Sequence, residues 1–361
     1  MTGEGWDEGT SAAAEATGIE TWETDMDIGG IGEFSLIASI RRRMEGKYPP
    51  EVVLGIGDDC AVLQPQAGME WVITTDTQVE DVHFRRAWLA PYQIGWRAMA
   101  VNLSDIAAMG AQPFGALAAL ALPDATEAAF FDQLLDGLCD LGLRCQCPLI
   151  GGNLARDPDH LSLTLTVLGH VPRGHFMRRG GARAGDEIWV SGQLGGSAAG
   201  LRTFLQTIPL AEPVYTAVRQ RYTQPQPRVR EAIFLRASGC LTSMIDLSDG
   251  LAGDLGHLCE ESGVGAQIAA AALPLHAGVR EVAAALGEDP LELALRGGED
   301  FELCCTARPG TLGPLLDGFR AQFGIDLTRV GLMTSERALR LVHADGSQAL
   351  LSPQAFDHFH G

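Results

Sequence analysis

Short β-type runs that pass directly into acidic residues recur along this chain, interspersed with segments of helical periodicity. That alternation limits the fold more than any other feature. Val52 to Ile56 leads into Asp58-Asp59, Trp71 to Thr75 into Asp76, and Ser243 to Ile245 into Asp246-Leu247-Ser248-Asp249-Gly250. Runs rich in branched and aromatic residues, bounded by turn formers, read as strands. Phe114 to Leu122, Leu161 to Val171 and Asp186 to Gly192 read the same way, the last entering a glycine-rich turn at Gly195-Gly196. The segment from Pro91 to Met109, residues 124–143, residues near 226–238 and a stretch from Leu251 carry apolar side chains at helical spacing. Strands and helices alternating in both halves predict an α/β protein of two mixed α/β domains. A fresh cycle after Pro172 places the boundary there, with domains at 32–172 and 173–361.

With 361 residues, 46% of them hydrophobic, the chain can bury the core of two domains. Its formal charge of −20 argues against a nucleic-acid or anionic-membrane partner, since both are held by basic surfaces. Residues 1–31 contain eight acids and no Lys or Arg, and lack the basic and apolar regions of a signal peptide. They read as a disordered acidic tail. No apolar run is long enough to span a membrane. The eight cysteines form no CxxC pair and no Cys/His zinc spacing, which predicts reduced thiols and a cytoplasmic protein.

Aspartates placed where strands end suit magnesium, a hard cation that takes one or two carboxylates together with waters and substrate phosphates. The candidates are Asp58-Asp59, Asp76, Asp105, and Asp246 with Asp249. A Walker-type kinase is excluded: there is no GxxxxGK[ST], and the single lysine is Lys47, beside Pro49-Pro50. The protein-kinase HRD and DFG motifs are absent as well. A phosphate clamp must then come from backbone amides, arginine and metal, and the candidates are Gly151-Gly152, the Gly195-Gly196 turn, Arg178 and Arg179.

Taken in order, Gly32-Glu33-Phe34, Gly55-Ile56-Gly57-Asp58-Asp59, Thr75-Asp76-Thr77, the segment Ala100 to Gly110, Ile245 to Leu251 and Gly297-Gly298-Glu299-Asp300-Phe301-Glu302-Leu303 resemble the thiamine-monophosphate kinase family. The resemblance runs from Gly32 to Phe359. It implies an aminoimidazole-ribonucleotide-synthetase-like fold, with N-terminal sheets that join across a homodimer. It implies ATP and several magnesium ions, with thiamine monophosphate converted to thiamine diphosphate. Position by position, Asp59, Thr74, Thr75, Asp76, Asp105, Asp246 and Asp249 fall on magnesium positions, with Asp76, Asp105 and Asp246 central to catalysis. Gly152, Arg179 and Ser248 fall on ATP positions, and His83, Glu299 and Phe356 on thiamine-substrate positions.

The acceptor in such a reaction is a phosphate oxygen, largely ionised near neutral pH, so no side-chain base is required. A site made mostly of aspartate follows, because metal must neutralise two polyanions and hold them in line. One departure stands out. Where the family has Gly-Gly-Asp-Thr, this chain has Gly151-Gly152-Asn153-Leu154, so Asn153 offers an uncharged carbonyl at a metal and ATP position. Two other readings remain open: an enzyme of the same fold with another acceptor, and a regulator that binds the ligands without turnover. A selenophosphate synthetase is disfavoured because no Cys or Lys precedes Gly32. An aminoimidazole-ribonucleotide synthetase is disfavoured by the GIGDD and GGED combination.

Overall fold

The computed structural model describes residues 27–31, 33–56, 60–64 and 66–352. Thirteen strands are present among them: β1 (Val52–Leu54), β2 (Val62–Leu63), β3 (Met69–Val79), β4 (Gln112–Leu122), β5 (Leu149–Arg156), β6 (Ser162–Pro172), β7 (Glu187–Ser191), β8 (Leu241–Asp246), β9 (Gly265–Ala269), β10 (Leu303–Ala307), β11 (Leu327–Thr334), β12 (Leu339–Val342) and β13 (Gln348–Leu350). The helices that matter for the site are, in chain order, α1 (Ile28–Ile31), α2 (Glu33–Met44), α3 (Pro91–Ala108), α4 (Ala128–Arg144), α5 (Gly196–Leu205), α6 (Glu212–Thr223), α7 (Val229–Ala237) and α8 (Leu251–Ser262).

The first half builds a four-stranded sheet in the order β3-β6-β4-β5, antiparallel except for the parallel β4/β5 pair. The second half builds a seven-stranded sheet, β13-β12-β9-β11-β7-β10-β8, antiparallel except for β12/β9. The central strands of the larger sheet are buried on both faces, and the period of two divides their side chains between two cores. Trp189, Met244, Leu303 and Cys305 share one apolar cluster with Leu103 of α3 and Phe131 of α4, so that core runs through both halves. Ile188, Val190, Ile245 and Cys304 point the other way, into a cluster with Leu255 of α8.

Helix α3 lies at the junction. It starts cleanly because Pro91 sits in its first turn, where a missing N–H costs nothing, and the Gln93 side chain accepts from the Ala90 N–H at 3.0 Å. Gly95 lets it approach α4 so closely that a Cβ there would strike the Leu134 carbonyl, and Gly137 of α4 faces the Tyr92 carbonyl in the same way. The helix is therefore wedged rigidly against its neighbour.

Two expectations change. The chain is already built into the fold before Gly32: α1 begins at Ile28, whose side chain is buried and whose N–H donates to the Thr126 carbonyl at 2.9 Å. The acidic composition around Ile28 hid a single apolar anchor. Gly151-Gly152, read as a phosphate-type turn, lies instead inside strand β5. Gly152 is required there because a Cβ would collide with the Ala118 carbonyl of the adjacent strand.

Candidate active site

Three aspartates from three elements meet at one wall of a cavity of about 1010 Å³. Asp76 comes from β3, and its N–H donates to Asn102 Oδ1 of α3 at 3.1 Å. Asn102 is fixed in turn, because its Nδ2 donates to the Ala98 carbonyl at 3.1 Å. Asp105 lies one turn further along α3 and accepts from Thr74 Oγ1 at 2.5 Å. Asp246, the last residue of β8, accepts from Ser104 Oγ at 2.7 Å. Helix α3 thus links carboxylates of both sheets.

The electrostatics follow from that crowding. Burial pushes the Asp105 carboxyl up to about 6, with Asp76 adding to the rise, while Thr74 and Arg179 oppose it. Burial and the neighbouring Asp105 raise Asp246 to about 6, and burial raises Asp76 as well. Asp254, in the first turn of α8, rises to about 8 through burial and the charges of Asp246 and Asp249. It accepts from the Asp249 N–H at 3.1 Å and fixes the bend after β8. Like-charged groups held together out of water favour a bound cation.

Several site residues differ from their expected setting. Asp76 is three residues short of the end of its strand, and Asp105 is helical, so only Asp246 stands at a strand end. Successive side chains in β3 alternate, so Thr74 faces α3 while the Thr75 hydroxyl faces away, donating to the Leu165 carbonyl at 3.0 Å. Cross-strand pairing puts Asp76, Leu165, Ala118 and Gly152 in one row, and Thr77, Thr164, Ala119 and Asn153 in the next. Asn153 is therefore exposed on the opposite face, three strand spacings (about 14 Å) from β3. Within one chain it does not join the aspartate cluster. The Gly195-Gly196 turn is also not an open anion cradle, because Asp300 already accepts from the Gly195 N–H at 2.6 Å and the Ser197 N–H at 3.1 Å. Asp59 and Phe356 lie outside the described residues.

Ser248 and Asp249 line the cavity, and the charge of Arg179 reaches Asp105 and Asp246. His83 and Glu299 lie on the cavity wall too. His83 is held in a turn pinned by Glu80, whose carboxylate accepts from Arg86 Nε at 2.5 Å and the Leu161 N–H at 3.0 Å. Its Nδ1 accepts from the Val79 N–H at 3.0 Å, which puts the proton of a neutral ring on Nε2. Glu299 sits in a left-handed conformation (φ 66) with its N–H on the Ser248 carbonyl at 2.7 Å. Sequence reasoning missed Asn102 and Asp254 as supports; Asn102 was signalled only by a polar residue at the turn before Asp105, and Asp254 by a third acid after Asp246-Asp249.

Magnesium fits the donor set. Every candidate donor is a hard oxygen, and an ion that keeps waters and phosphate ligands needs only one or two carboxylates. Among the described residues there is no group of three or more His, Cys, Asp or Glu that could hold a metal ion.

Fold and site together define a protein of the AIR synthase related class: the N-terminal domain model of that class matches residues 57–171 and its C-terminal domain model residues 183–344. Within the class the similarity is narrower. A thiamine-monophosphate kinase of Escherichia coli (strain K12) is 40% identical over 330 residues, covering 91% of this chain and 98% of the relative. The crystal structure of thiamine-monophosphate kinase from Stenotrophomonas maltophilia K279a matches with a TM-score of 0.78 at 40% identity, covering 88% of this chain and 98% of that one. AaThiL complexed with AMPPCP and TMP matches with a TM-score of 0.72 at 31% identity, covering 92% and 99%. The chain belongs to the thiamine-monophosphate kinase family.

Proposed function

We propose that this protein transfers the γ-phosphoryl group of ATP to the phosphate of thiamine monophosphate, giving ADP and thiamine diphosphate. The observation that carries the reading is the convergence of Asp76, Asp105 and Asp246 on one cavity wall, with His83 and Glu299 on the same cavity. Residues 32–172 supply most of the metal site, and residues 173–361 complete it for nucleotide and acceptor.

Asp76, Asp105, Asp246, Asp249 and the Thr74 hydroxyl would hold magnesium, with Asp59 and the Thr75 backbone as further donors. Magnesium there would neutralise the phosphates and align attacking and leaving oxygens. Arg179 and Ser248 serve the ATP side. His83 offers a donor at Nε2, Glu299 an acceptor, and Phe356 an apolar contact to the thiamine side. No residue is needed as a general base. A second reading as a non-catalytic regulator draws only on Asn153 and is the less supported of the two.

A homodimer fits the exposed sheet face, where Trp71, Ile73 and Leu117 are 38%, 60% and 36% exposed beside Thr75 and Asn153. Packing of a second copy there would be the route by which Gly152 and Asn153 reach nucleotide phosphates. Sedimentation should give twice the chain mass, and Ile73→Asp should shift it toward monomer; a monomer at all concentrations would remove this part. All eight cysteines are free thiols, which supports a reducing, cytoplasmic setting. Among the described residues no helix is long and apolar enough to cross a membrane.

The deciding assay mixes the protein with ATP, magnesium and thiamine monophosphate and follows thiamine diphosphate. Binding of both ligands without product would favour the regulator, and ATP consumption only with a different acceptor would favour another enzyme of this fold. Within an active preparation, Asn153→Asp should lower the magnesium concentration at half-maximal rate by about threefold to tenfold, since a carboxylate replaces a neutral carbonyl. An unchanged requirement would leave Asn153 outside the metal site.

A further inference from the structure

Glu299 does not meet the cavity as a lone carboxylate. Arg97 of α3, only 1% exposed, donates from Nη2 to Glu299 Oε1 at 2.5 Å. Its Nη1 donates to the Tyr222 carbonyl, and its Cζ lies 4.4 Å from the centroid of the Tyr222 ring. The Nε has no hydrogen-bond partner among the described residues. A buried guanidinium left partly unsatisfied adds little to stability, because desolvation offsets the pairing. What this arrangement does provide is direction. The Glu299 backbone is clamped to Ser248, and Phe301, also left-handed (φ 49), donates its N–H to the Leu247 carbonyl at 2.9 Å. With the main chain fixed and one carboxylate oxygen held from behind, the orientation of the other oxygen is set too. The Glu299 side chain remains 30% exposed, and the residue lines the cavity.

Resting on the thiamine-monophosphate reading above, we propose that Arg97 is a positioning residue. It makes Glu299 a charge-compensated hydrogen-bond acceptor for the exocyclic amine of the aminopyrimidine, in place of a counter-ion for the thiazolium. The physical argument is one of charge and geometry. A cation approaching Glu299 also approaches the positive charge of Arg97 directly behind it, and the two contributions largely cancel. An N–H donor does not require net charge. It gains from an acceptor whose free oxygen has a fixed direction, and an analogue that presents an acceptor instead is rejected because two acceptors then face each other.

The test compares three acceptors in the full-length enzyme: thiamine monophosphate, its analogue with the amine replaced by an oxo group, and its analogue with the thiazolium replaced by a neutral ring. In the unaltered protein the oxo analogue should show a KM about 10–100-fold higher, and the neutral-ring analogue a KM within about threefold. Arg97→Met should raise the KM for thiamine monophosphate about tenfold, leave the KM for ATP within about twofold, and make the neutral-ring analogue the poorer substrate, because Glu299 then carries uncompensated charge. Arg97→Lys, which cannot span Tyr222 and Glu299 together, should fall between, and serves as the test if the Met variant does not fold. The pair Arg97→Met with Glu299→Gln should be no worse than Glu299→Gln alone. An unchanged KM in both Arg97 variants, additive losses in the double variant, or a strong dependence on ring charge in the unaltered protein would overturn the proposal. An unaltered protein that makes no thiamine diphosphate would instead overturn the functional reading beneath it, so the two failures are told apart by the first measurement.

Discussion

Asp246→Asn should cut kcat for thiamine diphosphate formation by about 10³-fold, the scale expected when a principal charge-stabilising group is lost from a phosphoryl-transfer site. Asp76→Ala should do the same, because Asp76 reaches the same cavity wall from the other sheet. The informative comparison is with folding. Burial and the charge of Asp105 raise the Asp246 carboxyl to about 6 from an ordinary 3.8. A carboxyl whose folded pKa lies above its unfolded value binds its proton more tightly in the native state. The stability linked to that proton is present below about 3.8 and is lost as the pH rises through about 6. At pH 7 to 8 the metal-free protein therefore carries a destabilising charge at this position. Asparagine removes the charge and still accepts from Ser104, so urea unfolding of metal-free Asp246→Asn at pH 7.5 should show a midpoint equal to or above that of the unaltered protein. Activity lost with a lowered midpoint would mean that the residue is structural, and near-normal kcat would remove it from the site.

Glu302→Ala should have the opposite profile, with a large loss of stability. Glu302, two residues beyond the GGED motif, is fully buried and accepts from Arg228 Nε and Nη2, both at 2.6 Å, from Arg221 Nη2 at 2.8 Å, and from Ser191 Oγ at 2.7 Å. Burial alone would push its carboxyl up, but the two guanidinium groups and the hydroxyl hold it below the ordinary range. Removing it strands Arg228, whose side chain is 10% exposed, without its main counter-charge. Breaking a buried pair from one side costs about 3–5 kcal/mol. Denaturant unfolding should register that loss, and a change under about 1 kcal/mol would mean that water reaches Arg228 readily. Glu302→Gln, which keeps the acceptor oxygen for one guanidinium, should lose less.

These two carboxylates, 56 residues apart in the chain, show what the sequence makes legible. Asp246 announces itself through its setting, a β-run followed by Asp-Leu-Ser-Asp-Gly, because strand propensity and turn chemistry are local. Helix α3 was legible for the same reason: Pro91 marks its start, and its apolar period carries it to the end. Glu302 and Arg97 were not legible in their roles, since each is defined by partners that the fold brings from afar: Ser191 lies 111 residues from Glu302, and Glu299 lies 202 from Arg97. Strand β5 escaped because Gly151, Gly152 and Asn153 all disfavour strands locally, and the tight fit against Ala118 overrides that preference. The pleat that sends Thr74 and Thr75 to opposite faces is implicit in any strand assignment.

The seam along α3 also sets a timetable. Ser104 waits for Asp246, 142 residues downstream, Trp96 for the Pro225 carbonyl, 129 downstream, and Arg97 for Glu299. At synthesis rates of about 5–20 residues per second, the ribosome delivers Asp246 roughly 7–28 s after Ser104. Until each partner is made, the polar side of α3 lacks it, and water or a chaperone must occupy its place. Phosphoryl transfer thus becomes possible only late in the life of the nascent chain, when the last of these long loops has closed.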